Sequence, residues 1–289
     1  LDTYRYDSAK LAKFIAGVRV GEATPARIDA ALRSMRNTHG PTMARRARTL
    51  LRGALQLAVL NNVIGTNPVR DVQSIRSRAA PKGASALTAE QVRDLLMKIR
   101  ASDECQQRDL VDPITLLLAT GLRRSELLAL RWSDFDADAG TIAVTGKLVR
   151  QRGVGLTRID ETKTAAGRRT LPLPAFAVRV LNDRRLRPYV GQQQTIFASS
   201  SGTLRDPENF NTAWRAVREG LGMPNVTSRS FRKTVATLID DAGLSARIGA
   251  DHLGHAKVSM TQDRYMSRGR VHIQVADLLD RTVTDINDE

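Results

Sequence analysis

Cysteine is nearly missing from this 289-residue sequence. Cys105 stands alone, which excludes an internal disulfide and a cysteine-rich zinc site and fits a reducing compartment. Long apolar runs are missing too. The longest, around Ile114–Ala119 and Leu55–Leu60, are far too short to span a bilayer, and the first residues lack a signal-peptide pattern. These absences predict a cytosolic protein with no membrane partner. No glycine-rich phosphate loop is present, so the sequence gives no sign of an ATP site. Lysine is scarce, 8 residues against 37 arginines, a bias that a GC-rich genome produces as readily as a binding need. Leu1 is not a methionine, which predicts a fragment or processed chain and leaves open a further N-terminal domain.

Acidic charge is also in short supply. The balance of 45 Lys/Arg against 30 Asp/Glu leaves a formal +15, with a pI near 10.9, and predicts a polyanionic partner, nucleic acid before any other. The excess is uneven: residues 1–80 hold 14 basic and 5 acidic side chains (+9), residues 81–289 hold 31 and 25 (+6). A length of 289 residues is enough for two domains, each with its own core.

From Asp2 to about Ile75 the apolar spacing is helical, as in Leu11, Phe14, Ile15 and Val18. Thr24-Pro25 reads as a cap and first-turn proline for a helix ending before His39-Gly40-Pro41. The next helix, Thr42 to Val63, carries Arg45, Arg46, Arg48 and Arg52 beside its apolar stripe. Those four arginines are expected to form a phosphate-contacting face, adding salt-dependent affinity without base specificity; a solvated helix face is the plainer alternative. Asn67-Pro68 closes this unit, and Pro, Gly and small residues mark a linker over 76–86.

Thr88 and Gln91 form a capping-box signature, and 112–120 is apolar enough to be a buried helix. Alternation predicts strands over 141–149 and 156–162, with a third at 168–172, the last two joined by a turn around Lys163. Helices are expected near 175–183, 207–220 and 231–242 and in the stretch leading to Tyr265, followed by an apolar-striped tail over 271–279. Arg229-Ser-Phe-Arg232, Leu253-Gly-His255 and Tyr265 gather a guanidinium, an imidazole and a phenol in one short region, which suits phosphoryl transfer to a tyrosine. His252 and His255 share a helix face, but no carboxylate or cysteine pattern completes a metal site.

Together with Thr120-Gly-Leu-Arg123-Arg-Ser-Glu126-Leu, these segments resemble the tyrosine recombinase family, the phage integrase type in particular, over the whole chain. The resemblance implies a mainly α fold: a helical N-terminal core-binding domain (1–75), the linker (76–86), a larger α-helical catalytic domain with a small antiparallel β-sheet (87–270), and a C-terminal segment (271–289) exchanged between protomers. It implies a site-specific DNA recombinase that cuts and rejoins strands through a 3′-phosphotyrosine, without ATP, metal or other cofactor. Double-stranded DNA is the implied partner, bound by a homotetramer in the bacterial cytoplasm at the nucleoid, with host DNA-bending or directionality factors as further partners.

By the same resemblance Arg123, Lys163, Arg232, His255 and Tyr265 are catalytic, Glu126 and Arg229 are supporting, and Arg169 joins the DNA-binding arginines. Tyr265 is the nucleophile, Lys163 the acid for the leaving 5′-oxygen, and the remaining catalytic groups neutralise the phosphate. The sequence departs from the family at Arg229, where a histidine is usual, and at Lys233, where a second is common. Arginine stays protonated at any working pH and cannot take the tyrosine proton. A resolvase or invertase of the same chemistry, and a DNA-binding relative with weakened catalysis, remain alternatives to an integrase.

Overall fold

Thr24 caps the longest helix, its hydroxyl accepting the Arg27 amide at 3.3 Å, and Pro25 sits in the first turn where its missing N–H has no intrahelical partner to lose. That helix, α2 (Pro25–Leu60), follows α1 (Asp2–Ile15) and is interrupted at Gly40. There φ is 84° and ψ is 167°, a conformation open essentially to glycine alone, and Pro41 begins the second half. The computed structural model describes residues 2–75, 84–160, 168–188, 191, 193–255 and 257–259. The chain divides into two units, Leu1–Gly83 and Ala84–Glu289.

The first unit buries Leu11 of α1 against Ile28, Leu32, Met35, Ala47, Leu51 and Leu55 of α2, with Val69 and Val72 closing the far side. Polar clasps fix this packing. Buried Asp7 of α1 pairs with Arg46 of α2 at 2.8 Å, and Arg48 donates to the carbonyls of Val69 and Val72 at 3.3 and 3.0 Å. Asn67 accepts the Val69 amide and donates to the Arg52 carbonyl at 2.9 Å, which holds the return of the chain against α2.

The second unit begins with α3 (Ala89–Ala101), which starts at Thr88 with the reciprocal capping box formed with Gln91. After α4 (Asp103–Gln107) comes α5 (Val111–Thr120), buried along almost its whole length and packed against α9 (Ser228–Asp241). A helix apolar on every side belongs at the centre of a domain, and α5 is that centre. Its neighbours in the core include Leu95, Ile99, Phe197, Phe210, Trp214 and Phe231. Short α6 (Arg124–Leu127) follows directly, and α7 (Ala175–Arg185), α8 (Pro207–Val217) and α10 (Ala246–Leu253) complete the α-helices among the described residues.

Five strands are described: β1 (Phe135–Asp136), β2 (Thr141–Val144), β3 (Lys147–Gln151), β4 (Gly155–Ile159) and β5 (Arg169–Pro172). β1, β2 and β5 form an antiparallel sheet in that order, with Ile142 opposite Leu171 and Val144 opposite Arg169. β3 and β4 form a separate hairpin. The single strand expected over 141–149 is therefore two strands in two sheets. The break has a local cause. Arg158, almost wholly buried, lays its guanidinium across the chain here, donating from Nε to the Ala129 carbonyl at 2.7 Å and from Nη2 to Thr145 Oγ1 at 2.6 Å. At Gly146 a Cβ would lie 2.8 Å from Arg158 Cζ and 2.7 Å from the Ile159 carbonyl oxygen. Among the described residues no helix is long and apolar enough to cross a membrane.

Candidate active site

The C-terminus of α5 builds one wall. Gly121 takes the left-handed conformation (φ 63°), its amide closes on the Leu117 carbonyl at 2.9 Å, and its own carbonyl turns toward α9. A side chain at Gly121 would meet Leu253 Cδ2 at 2.8 Å and Val235 Cγ1 at 3.1 Å, so its bareness also sets how closely α9 and α10 approach α5.

Arg123 stands at the start of α6, and Glu126 folds back onto it. The carboxylate accepts the Arg123 amide at 3.1 Å and pairs with Arg123 Nη1 at 2.7 Å. The Glu126 side chain is buried, whereas 43% of the Arg123 side chain remains exposed. Burial alone would raise the Glu126 carboxyl, but the cations of Arg123 and Arg169 outweigh it and hold it below the usual carboxylate range. An ionised acid thus aims a solvent-facing guanidinium.

Arg232 projects from α9 and is buried. Nη1 donates to the Gly121 carbonyl at 2.8 Å, Nη2 donates to the Leu253 carbonyl at 2.7 Å, and Nη2 also lies 2.7 Å from His255 Nε2. One planar fork therefore joins the end of α5 to the end of α10. Gly254, left-handed at φ 67°, ends α10 and delivers His255, whose amide bonds the Ala250 carbonyl at 2.9 Å.

Burial, followed by the cations Arg232, Arg123 and Arg169, pushes the His255 imidazole down to about 4, with Glu126 opposing them. The ring is therefore neutral near pH 7. A guanidinium can only donate, so Nε2 accepts from Arg232 and the ring proton sits on Nδ1.

Arg169 was expected to reach DNA, and its geometry is different. Its side chain is only 7% exposed; Nε donates to the His252 carbonyl at 2.7 Å and Nη2 contacts Glu126 Oε2 at 3.4 Å. The reason is strand periodicity. Arg169 shares a face of β5 with Leu171, which is in the core, while Thr170 and Pro172 face out. That alternation was present in the sequence and is the signal that finds an inward arginine.

His252 is half-buried on α10, and burial, with Arg169, lowers its pKa. Among the described residues no group of three or more His, Cys, Asp or Glu side chains is arranged for a metal.

Arg123, Glu126, Arg169, Arg232 and His255 are thus gathered at one place from α6, β5, α9 and the turn after α10. Arg229 occupies the first turn of α9 and is exposed, and Lys233 is half-buried. Lys163 and Tyr265 lie outside the described residues, as do the turn around Lys163 and the tail 271–289. Of the arginines expected on a phosphate-binding face, Arg45 and Arg52 are exposed on α2. Arg46 is exposed as well, although its guanidinium also pairs with buried Asp7, and half-buried Arg48 donates to the carbonyls of Val69 and Val72. Chemically the gathered cluster is a pocket of cations around a neutral imidazole, suited to an anion with developing charge such as a phosphate under attack.

The sequence profile of the phage integrase family matches residues 85–270. The transposase of transposon Tn916 from Enterococcus faecalis is 26% identical over 252 residues, covering 81% of this chain and 60% of that protein. The chain spans 43% to 63% of the length of the curated relatives of this kind that it first matches. Among solved structures, a fragment of the integrase of transposon Tn1549 in complex with a circular intermediate DNA superposes with a TM-score of 0.81 at 20% identity, covering 95% of this chain and 92% of that one. A lambda integrase tetramer bound to a Holliday junction gives a TM-score of 0.61 at 19% identity, covering 94% and 75%.

Proposed function

Since the match spans more than half of its residues, this chain belongs to the phage integrase family, and we propose that it is a site-specific recombinase of a phage or mobile element, cutting and rejoining DNA through a 3′-phosphotyrosine. The observation that carries this reading is the shared fork at Arg232, which holds His255 and joins the segments that follow α5 and α10 beside Arg123. Arg123, Arg232 and His255 are three of the five positions the resemblance implies as catalytic, and their proximity supports this reading.

In this reading the Tyr265 phenolic oxygen attacks a DNA phosphorus, the P–O5′ bond breaks, and Lys163 protonates the departing 5′-oxygen. Arg123 and Arg232 neutralise the non-bridging oxygens, and His255 donates its Nδ1–H to one of them. The phenol proton needs an acceptor. The Arg229 guanidinium has donors only and no acceptor, and His255 Nε2 already accepts from Arg232, so the proton passes to a phosphate oxygen or to water. The bond energy stays in the phosphotyrosine, so neither ATP nor a metal is required. The reverse attack by a 5′-hydroxyl of a second strand completes the exchange.

Double-stranded DNA is then the partner, held by residues 1–75 through Arg45 and Arg52 and by the catalytic residues of 87–270. The working assembly is a homotetramer, with 271–289 passing between protomers, in the bacterial cytoplasm at the nucleoid. The lambda integrase tetramer on a junction supports that assembly by its similarity of fold.

The test is covalent trapping on a nicked suicide DNA bearing the attachment core. The unsubstituted chain is expected to give a 3′-linked adduct, Tyr265→Phe none, and Arg229→His a faster one. No adduct from DNA-bound protein, with or without Arg229→His, leaves a DNA-binding role and removes the enzyme.

A further inference from the structure

Among the guanidiniums of the cluster, Arg169 points neither at solvent nor at the shared fork. It rises from β5 between two structures that carry other members of the site. On one side is Glu126, whose carboxylate holds both the amide and the guanidinium of Arg123. On the other is the His252 carbonyl in the last turn of α10, three residues before His255. β5 is itself fixed by its pairing with β2, Val144 opposite Arg169, and by buried Leu171. Its backbone is therefore a rigid base for the side chain.

Resting on the recombinase reading, we propose that Arg169 is a positioning residue. Its single planar fork sets the spacing between the Arg123–Glu126 pair and the turn that carries His255, so that both grip one phosphate at once. Arg232 ties α9 to the ends of α5 and α10 through two main-chain oxygens and the His255 ring. Arg169 adds the link from the Glu126 carboxylate to α10. Two donors diverging at fixed angles are needed, and an ammonium on a flexible stem does not supply them.

The charge of Arg169 also bears on His255. The groups that face the ring are Arg232 from α9, Arg123 and Glu126 from α6, and Arg169 from β5; removing one of the three cations raises its titration midpoint.

Full-length Arg169→Gln and Arg169→Lys, compared with the unsubstituted chain, test this by three readouts. They are the His255 midpoint by NMR, the trapping rate at saturating suicide DNA, and the salt slope of DNA binding. Arg169→Gln is expected to raise the midpoint and to slow trapping by about 100-fold, the scale of an ångström of misplacement, with affinity and salt slope unchanged. Arg169→Lys, which keeps the charge without the fork, is expected to leave the midpoint nearer that of the unsubstituted chain while trapping remains slowed. A salt slope reduced by about one in both variants, with the midpoint and the trapping rate unmoved, identifies a phosphate contact and overturns the proposal. If the unsubstituted chain gives no adduct, the recombinase reading fails. The positioning role then stands if both Arg169→Gln and Arg169→Lys displace the Arg123 and His255 resonances, and falls if only the charge-removing variant moves His255.

Discussion

His255 gives the site an acid limit. Its folded midpoint of about 4 lies below the ordinary 6.5, so between these values the unfolded chain binds a proton that the folded chain refuses. The resulting stabilisation is complete above about pH 6.5 and is lost as pH falls toward 4, by up to about 3 kcal/mol. Urea unfolding at pH 7 and pH 5 should show a drop in the unsubstituted chain that His255→Gln reduces, the remainder including His252, whose pKa is also lowered; equal drops would disprove it. Other residues of the cluster were legible to different degrees. Arg123, Glu126, Arg232 and His255 stood out because their motifs are local, three or four residues long. The inward turn of Arg169 needed the face of its strand to be read against Leu171, whereas the resemblance had set it among the DNA-binding arginines. The main-chain carbonyls that receive Arg232 and Arg169 carry no letter in the sequence at all.

Elements were readable where a cap or a breaker stood at their ends. Thr24-Pro25, Gly40-Pro41 and Thr88 with Gln91 all mark real boundaries. The break between β2 and β3 was not readable, because alternation continues across it and its cause is an arginine of the pairing strand, Arg158, lying over Gly146. The element whose ending matters most is α5. Gly121→Ala forces a side chain into a left-handed residue and against Leu253 and Val235, and a loss of about 2–4 kcal/mol is expected. It also displaces the carbonyl that receives Arg232. Thermal unfolding should report the first effect, and trapping at a temperature where the variant is fully folded should report the second. Unchanged trapping there would mean that the carbonyl does not set the position of Arg232.

Over the whole molecule, the +15 charge makes a salt-dependent association with DNA the expected mode of binding. The arginines of α2 do not contribute equally. Arg45→Gln and Arg52→Gln should each lower the salt slope by about one while leaving unfolding unchanged. Arg46→Gln should in addition cost roughly 1–3 kcal/mol by leaving buried Asp7 without its half-exposed cation. Titrations at several salt concentrations, paired with denaturation curves, separate the two classes. A uniform effect across the three would return the helix to a single charged face.

The anchoring of Arg232 and Arg169 on main-chain oxygens has an evolutionary reading. Every residue type supplies a carbonyl, so the letters at Leu253 and His252 answer to packing and not to the charge cluster they support. Gly121 and Gly254 are held to their identity, each by a left-handed dihedral angle. Apolar exchanges at such carbonyl-bearing positions are therefore expected to spare the spacing of the guanidiniums, so that the site tolerates changes of letter beneath it that it would not tolerate in its charges.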